Sequence, residues 1–158
     1  EGEKKKIKKT ELQWEQINTN KAIWLRDEED LYEEDYVEFY KSLSRQTNPP
    51  LNWIHFETDG EVVFTSILFI PNRAPHDFYS HYNTRKNDLK LYVRRVLIAE
   101  KHSDLIPKYL SFAQGVIDSD DLPLKVDRET LIQNKAFKVI NQKITTKILD
   151  MISEIAKW

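Results

Sequence analysis

This sequence predicts an α/β fold: a layered α/β/α sandwich whose mixed sheet contains a β-hairpin, ending in a long C-terminal helix. Three observations predict it. First, Trp53 to Thr58 and Glu61 to Ile70 are two runs rich in aromatic and β-branched residues, separated by Asp59-Gly60, a hairpin signal. Second, the later run is apolar on both of its faces, so it belongs in the middle of a sheet that is covered from both sides. Third, Ile132, Ala136, Val139, Ile140, Ile144, Ile148, Met151, Ile152 and Ile155 recur at helical spacing, which predicts one helix from Arg128 to about Lys157.

Composition sets the bounds. A chain of 158 residues suffices for a single core of ordinary size. Charged residues make up 32% of it but nearly cancel, leaving a net charge of −2, so no global field points to nucleic acid or to a membrane surface. Without cysteine there are no disulfides and no thiolate metal sites, which is compatible with a reducing or an oxidising compartment. The longest apolar run, around Ile67 to Ile70, is far shorter than a membrane span, and the lysine-rich N-terminus lacks the apolar stretch of a signal peptide. Because the chain opens within a charged run and stops within a helical pattern, it reads as a piece of a longer protein.

Taken in order, residues 1–10 carry almost nothing to bury and read as the end of a disordered charged linker, with a nucleic-acid or nuclear-import patch as the alternative. Trp14, Ile17, Ile23 and Trp24 follow at a density that requires packing or binding; Trp24 reads as a core anchor or as an exposed apolar contact. Asp27 to Asp30 form an acidic helix entrance, and Tyr32, Tyr36, Phe39, Tyr40 and Leu43 define an amphipathic helix that ends near Ser44, ahead of Asn48-Pro49-Pro50. A two-residue type I′ loop at Asp59-Gly60 sets Phe56 opposite Val63 and Ile54 opposite Thr65. Ile54, Phe56, Val63, Ile67 and Phe69 then share one face, and Trp53, His55, Phe64, Leu68 and Ile70 the other. Pro71 to Lys90 is a long loop. Leu89 to Ile98 reads as one strand, whose alternation sends Arg94 and Arg95 to opposite faces. A short helical segment surrounds Pro107, and Val116-Ile117 is a strand running into an acidic turn of Asp118, Ser119, Asp120 and Asp121. The last helix is expected to start at Asp127.

Chemistry is sparse. His55, His76, His81 and His102 match no zinc spacing, the acidic clusters lack the order of a calcium loop, and no metal site is expected. Gly2, Gly60 and Gly115 stand alone, so there is no glycine-rich phosphate loop and no nucleophile elbow. Asp118, Asp120 and Asp121 offer an acid and a base, although an acidic turn beside a proline is more often solvated. Lys135, Lys138, Lys143 and Lys147 read as a solvated helix face rather than a polyanion site. Arg128 stands apart, because a cation in the first turn of a helix adds to the positive end of the macrodipole. Either it is a solvated surface residue, or it waits for an external anion, best a phosphate.

The runs L-K-L-Y-V-R-R-V (89–96), I-P-K-Y-L-S-F (106–112) and G-V-I-D-S-D-D-L-P-L-K-V-D-R-E-T-L (115–131) closely resemble the middle domain of the ninety-kilodalton heat-shock protein chaperones. The likeness runs from about Leu12 to Ile155 and looks nearest the endoplasmic-reticulum branch, with a cytosolic or organellar relative as the alternative. It implies that residues 11–158 are the large α/β/α subdomain of that middle domain, from an ATP-driven dimeric chaperone. The nucleotide and its Mg would sit in a separate N-terminal domain and the dimer contact in a C-terminal one. It further implies that Arg128, with Gln133, reaches the γ-phosphate of ATP held by that N-terminal domain, that Arg73 and His76 lie on a supporting loop, and that Trp24 contributes to client polypeptide binding. Co-chaperones are further implied partners; nucleic acid and membranes are not. The isolated segment is expected to show no activity, and the full-length protein to be an ATPase. Three residues depart from the family pattern: Asp127 where serine is usual, Ile132 in place of a first glutamine, and His76 where a bulky apolar residue is common. Two other readings stand beside this one. One is a passive client- or partner-binding module with a structural arginine. The other, a nucleic-acid surface at Lys90, Arg94 and Arg95, is disfavoured because alternation splits the two arginines.

Overall fold

The computed structural model describes residues 22–74, 80, 88–100, 105–122 and 134–158. They form a five-stranded mixed sheet between two helical layers, as the sequence predicts. The strands are β1 (Pro50–Asp59), β2 (Val63–Pro71), β3 (Asp88–Val93), β4 (Val96–Glu100) and β5 (Gln114–Ser119). Their spatial order is β1-β2-β5-β3-β4; β3 and β5 are parallel, and the other neighbours are antiparallel. Helix α1 (Glu33–Ser44) covers one face, preceded by short 3-10 turns at Ile23–Leu25 and Glu28–Asp30, and helix α2 (Lys135–Ile155) covers the other.

Each face has its own core. On the α2 side, Phe64, Leu68, Ile70, Leu89, Leu91 and Ile117 meet Phe137, Ile140, Ile144, Ile148 and Met151. On the α1 side, Ile67, Phe69 and Val116 meet Trp24, Leu31, Tyr36 and Tyr40. Strand β2 is apolar on both faces, and β5 is buried on both, because both faces are covered.

Helix α1 ends where expected. Arg45 takes a left-handed conformation, φ 58°, and the Ser44 hydroxyl donates to the Tyr40 carbonyl at 2.7 Å. At its start, Asp35 Oδ2 accepts from the Tyr32 amide at 2.9 Å. Tyr32 is therefore a capping position, 72% exposed, and not part of the buried stripe expected of it.

The hairpin between β1 and β2 exists, but its register differs from the expected one. Asp59 pairs with Val63 and Phe56 with Ser66, leaving a three-residue loop of Gly60, Glu61 and Val62. The shift is an odd number of residues, so Ile54 and Phe56 share a face with Phe64, Leu68 and Ile70, while Trp53 and His55 go with Ile67 and Phe69. A type I′ turn needs positive φ at both central residues, which neither Asp59 nor Gly60 adopts. The wider loop instead tucks Val62 into the α2-side core, and the Thr58 hydroxyl donates to the Val62 carbonyl at 2.7 Å while accepting from the Phe64 amide at 3.2 Å.

Leu89 to Ile98 is two strands rather than one. Val93 pairs with Val96 across a two-residue turn in which Arg94 and Arg95 have φ of 49° and 67°. This is the positive-φ hairpin turn expected at Asp59-Gly60, built here from arginines at a conformational cost of roughly 1 kcal/mol each. The surroundings hold it in place: the Arg94 amide donates to the Ser119 carbonyl at 3.3 Å and the Arg95 amide to Asp118 Oδ1 at 3.3 Å.

The last helix also begins later than expected. Asn134 has extended backbone angles, and its Oδ1 accepts from the amides of Ala136 at 2.8 Å and Phe137 at 3.3 Å, so α2 is capped there and Arg128 is not in its first turn. Lys135, Lys138 and Lys143 are exposed, as expected, whereas Lys147 lies 5.2 Å from the centre of the Phe56 ring.

At Gly115, in β5, φ is 152°, and a Cβ there would stand 2.1 Å from the Ile67 carbonyl oxygen. Gly115→Ala is therefore expected to cost about 3 kcal/mol of stability or more, readable as a lowered urea midpoint at constant slope. Burial, before all else, raises Tyr36, Tyr40 and Tyr92 above the usual value of 10.0, with Glu28 and Asp35 adding at Tyr36, and Glu100 and Asp118 at Tyr92. The folded chain thus holds these protons more tightly than the unfolded one. Their stabilisation is complete below about pH 10 and is lost as pH rises through the shifted values. Tyr92→Phe is expected to flatten the alkaline fall in stability when urea midpoints are compared between about pH 9 and 11.

Candidate functional site

Strands β3 and β5 run parallel and end side by side, Val93 opposite Ser119. In layered α/β folds, sites collect at the carboxyl ends of such strands, and the polar residues of this chain gather there too. The Arg94-Arg95 turn lies at this end, and so do the start of β2 and the segment around Trp24.

Asp118 joins them. The residue is 6% exposed; Oδ2 of its carboxylate accepts from the Trp24 indole N–H at 2.9 Å, and Oδ1 from the Arg95 amide. Trp24 is itself buried, with its ring 4.9 Å from Tyr92 and 6.1 Å from Phe39, so of the two readings of this tryptophan the core anchor holds. The Trp24 carbonyl lies 3.1 Å from His55 Nε2, and His55 Nδ1 lies 3.0 Å from the Tyr36 hydroxyl. Since a carbonyl only accepts, the proton sits on Nε2, and Nδ1 accepts from Tyr36. One chain of contacts therefore runs from α1 through His55 and Trp24 to β5.

A groove of about 340 Å³ opens over this network, lined by Trp24, Arg26, His55, Thr65 and Arg95 together with the carboxylates of Asp27, Glu28, Glu57, Asp118 and Asp120. Arg95 reaches Asp120 at 3.6 Å, a pair that is half exposed and contributes little to stability. Carboxylates outnumber guanidinium groups along this groove, so its lining is net acidic. Among the described residues there is no group of three or more histidine, aspartate or glutamate side chains placed to hold a metal ion, and no helix long and apolar enough to cross a membrane.

The residues singled out from the sequence are distributed unevenly. Arg128, Gln133 and His76, with Asp127 and Ile132, lie outside the described residues. Arg73 is exposed just beyond β2, at the opposite end of the sheet from Ser119. Asp118 and Ser119 are strand residues, both buried, rather than members of a solvated turn. The hub at Asp118 was hidden in the sequence because D-S-D-D after two apolar residues is indistinguishable from an exposed turn. Arg94 and Arg95 are not split across the sheet as strand alternation implied; they share one turn.

The fold defines the class first. The chain superposes on the middle domain of a heat shock protein of Plasmodium falciparum with a TM-score of 0.74 and 32% identity, covering 87% of this chain and 52% of that one. The chain belongs to the Hsp90 protein family, whose model matches residues 1–158. It is 48% identical over 156 residues to the endoplasmin homolog of Hordeum vulgare, 49% over 156 residues to that of Arabidopsis thaliana and 46% over 151 residues to that of Caenorhabditis elegans, with 96–97% of this chain covered. It spans about a fifth of the length of these relatives (19%, 19% and 20%).

Asp118→Ala removes the acceptor of a buried indole N–H and of the Arg95 amide, and is expected to cost about 2 kcal/mol. In a double-mutant cycle with Trp24→Phe, urea denaturation should show a coupling above about 0.5 kcal/mol between the two positions.

Proposed function

We propose that this chain is the middle-domain segment of an ATP-dependent molecular chaperone of the endoplasmic reticulum lumen, with residues 11–158 as its large α/β/α subdomain and residues 1–10 as the end of a charged linker. Such a protein acts in protein folding and the stress response by binding unfolded polypeptides. The nucleotide, with Mg, belongs to a separate N-terminal domain. What this chain contributes is Arg128, which supplies positive charge at the γ-phosphate when the two domains close, and Gln133 beside it. Charge delivered from a second domain makes hydrolysis depend on closure, because the arginine stabilises negative charge on the transferring phosphoryl group only when it is in place. Dimerisation belongs to a C-terminal domain, and co-chaperones are further partners.

The observation that carries this reading is the family match over residues 1–158, with Arg128 and Glu129 of the motif present and Asp127 where serine is usual. Client polypeptides are assigned to the groove above Trp24. Its open, mixed-charge lining suits extended chain, with Trp24 forming a buried wall of that groove.

In the full-length protein, Arg128→Ala is expected to lower kcat for ATP hydrolysis by roughly 10² to 10³ with ATP affinity nearly unchanged, and the isolated segment should hydrolyse no ATP. Turnover of the variant within about a factor of two of the parent would assign the arginine a structural role and leave a passive client-binding module.

A further inference from the structure

Strand β1 is one rim of the sheet. Among the described residues it pairs with β2 alone, and the register is unbroken from Asn52 to Asp59. Three hydrogen bonds decide which of its backbone groups face outward. Phe64, opposite Thr58, turns its amide toward β1 and the Thr58 hydroxyl at 3.2 Å, whereas Val63, opposite Asp59, turns its amide the other way, to Asp121 at 2.7 Å. The Trp53 amide is outside the ladder and donates to the neighbouring Asn52 Oδ1 at 2.9 Å. Bonded residues alternate in an antiparallel pair, so Trp53, His55, Glu57 and Asp59 aim their N–H and C=O groups away from the sheet. Asn52 closes one of these amides. Among the described residues nothing bonds the outward groups of His55 and Glu57, which leaves a template for one more strand.

The two faces of this rim differ. Side chains alternate along a strand, so Ile54 and Phe56 lie on the α2 face, and His55 and Glu57 on the α1 face. Ile54 and Phe56 pack on the α2-side core yet stay half-buried. Beside them is a hollow of about 310 Å³ floored by Phe56, Val62, Phe64 and Val139, whose rim carries lysines from α2 and carboxylates from the hairpin that offset one another. On the other face, His55 and Glu57 border the groove over Trp24, where Asp27, Glu28 and Glu57 make no ion pair among the described residues. A strand added to β1 would therefore meet an apolar hollow with every second side chain and unpaired carboxylates with the others.

We propose that the outer edge of β1 takes up an extended polypeptide segment as a sixth strand, and that it selects segments in which basic and apolar residues alternate. Main-chain hydrogen bonds to His55 and Glu57 supply attachment without regard to sequence, and the two hollows supply the choice of side chains. A lysine or arginine opposite Glu57 gains an opposite-charge cross-strand pair, and an apolar neighbour covers Phe56. The proposal deepens the client assignment given above, on which it rests for the kind of partner, and needs neither Arg128 nor ATP.

The test is fluorescence anisotropy with the full-length protein and short labelled peptides. A peptide of alternating lysine and valine should bind with a Kd below about 100 μM, and one with the same residues in two blocks at least about ten-fold more weakly. Replacing the lysines by glutamates should abolish binding. Methylating every second backbone amide of the alternating peptide should abolish binding in one phase and spare it in the other, since an added strand turns alternate amides toward β1. On the protein side, Glu57→Lys, a change at an exposed residue, should weaken binding by roughly five- to ten-fold. Glu57→Pro, which removes an outward amide that the β1–β2 ladder does not use, should weaken it at least about ten-fold. Equal binding of the alternating and blocked peptides, equal effects of the two methylation phases, or an affinity of Glu57→Lys within about two-fold of the parent would overturn the edge. The client assignment would survive that result if a carboxymethylated, permanently unfolded protein still binds. If neither that protein nor any of the peptides binds, both readings fail.

Discussion

Strand β5 lies between β2 and β3, and its pairing with β2 brings two backbones so close at Gly115 that no other side chain fits there. Much else depends on that insertion. It makes β5 parallel to β3, which puts the ends of both strands at one edge, and it gives each face of the sheet a central apolar row for a helix to cover. It also carries Asp118 and Ser119, polar residues, into positions where water cannot serve them, so their partners must come from the protein.

Those partners are what organise the site end of the sheet. Asp118 takes an indole N–H from the segment before α1 and a backbone amide from the β3–β4 turn, adding polar links where Trp24 already packs against Tyr92. Two arginines in left-handed conformations are tolerated because Asp118 and the Ser119 carbonyl receive the amides that this conformation presents. The strain of the turn and the burial of the carboxylate thus support each other. One residue further on, the same strand exit holds Val63 by its amide and its carbonyl, so the edge of the sheet is stitched from β1 across to β4. The groove over Trp24 shares that edge, so its walls and the exit of β5 rest on the same buried carboxylate, Asp118.

Much of this was legible in the chain itself. The period of two in Trp53 to Ile70, the double-sided apolar run of β2 and the helical period through Ile155 determined the layered fold, because the burial of apolar side chains follows from local periodicity alone. The long shared motifs, above all G-V-I-D-S-D-D-L-P-L-K-V-D-R-E-T-L, determined the family and pointed to Arg128. Tertiary structure alone decided the β1–β2 register, the break of one expected strand at Arg94-Arg95 and the start of α2 at Asn134. It also decided the fate of D-S-D-D: Asp118 and Ser119 are buried at the end of β5, whereas Asp120 and Asp121 stay exposed. Each of these turns on groups distant in sequence, whether Val62 finding the α2-side core or Asp118 finding Trp24. Propensity and periodicity describe a segment's own preferences, whereas a buried carboxylate or a strained turn is stable only where a distant part of the chain supplies its partner.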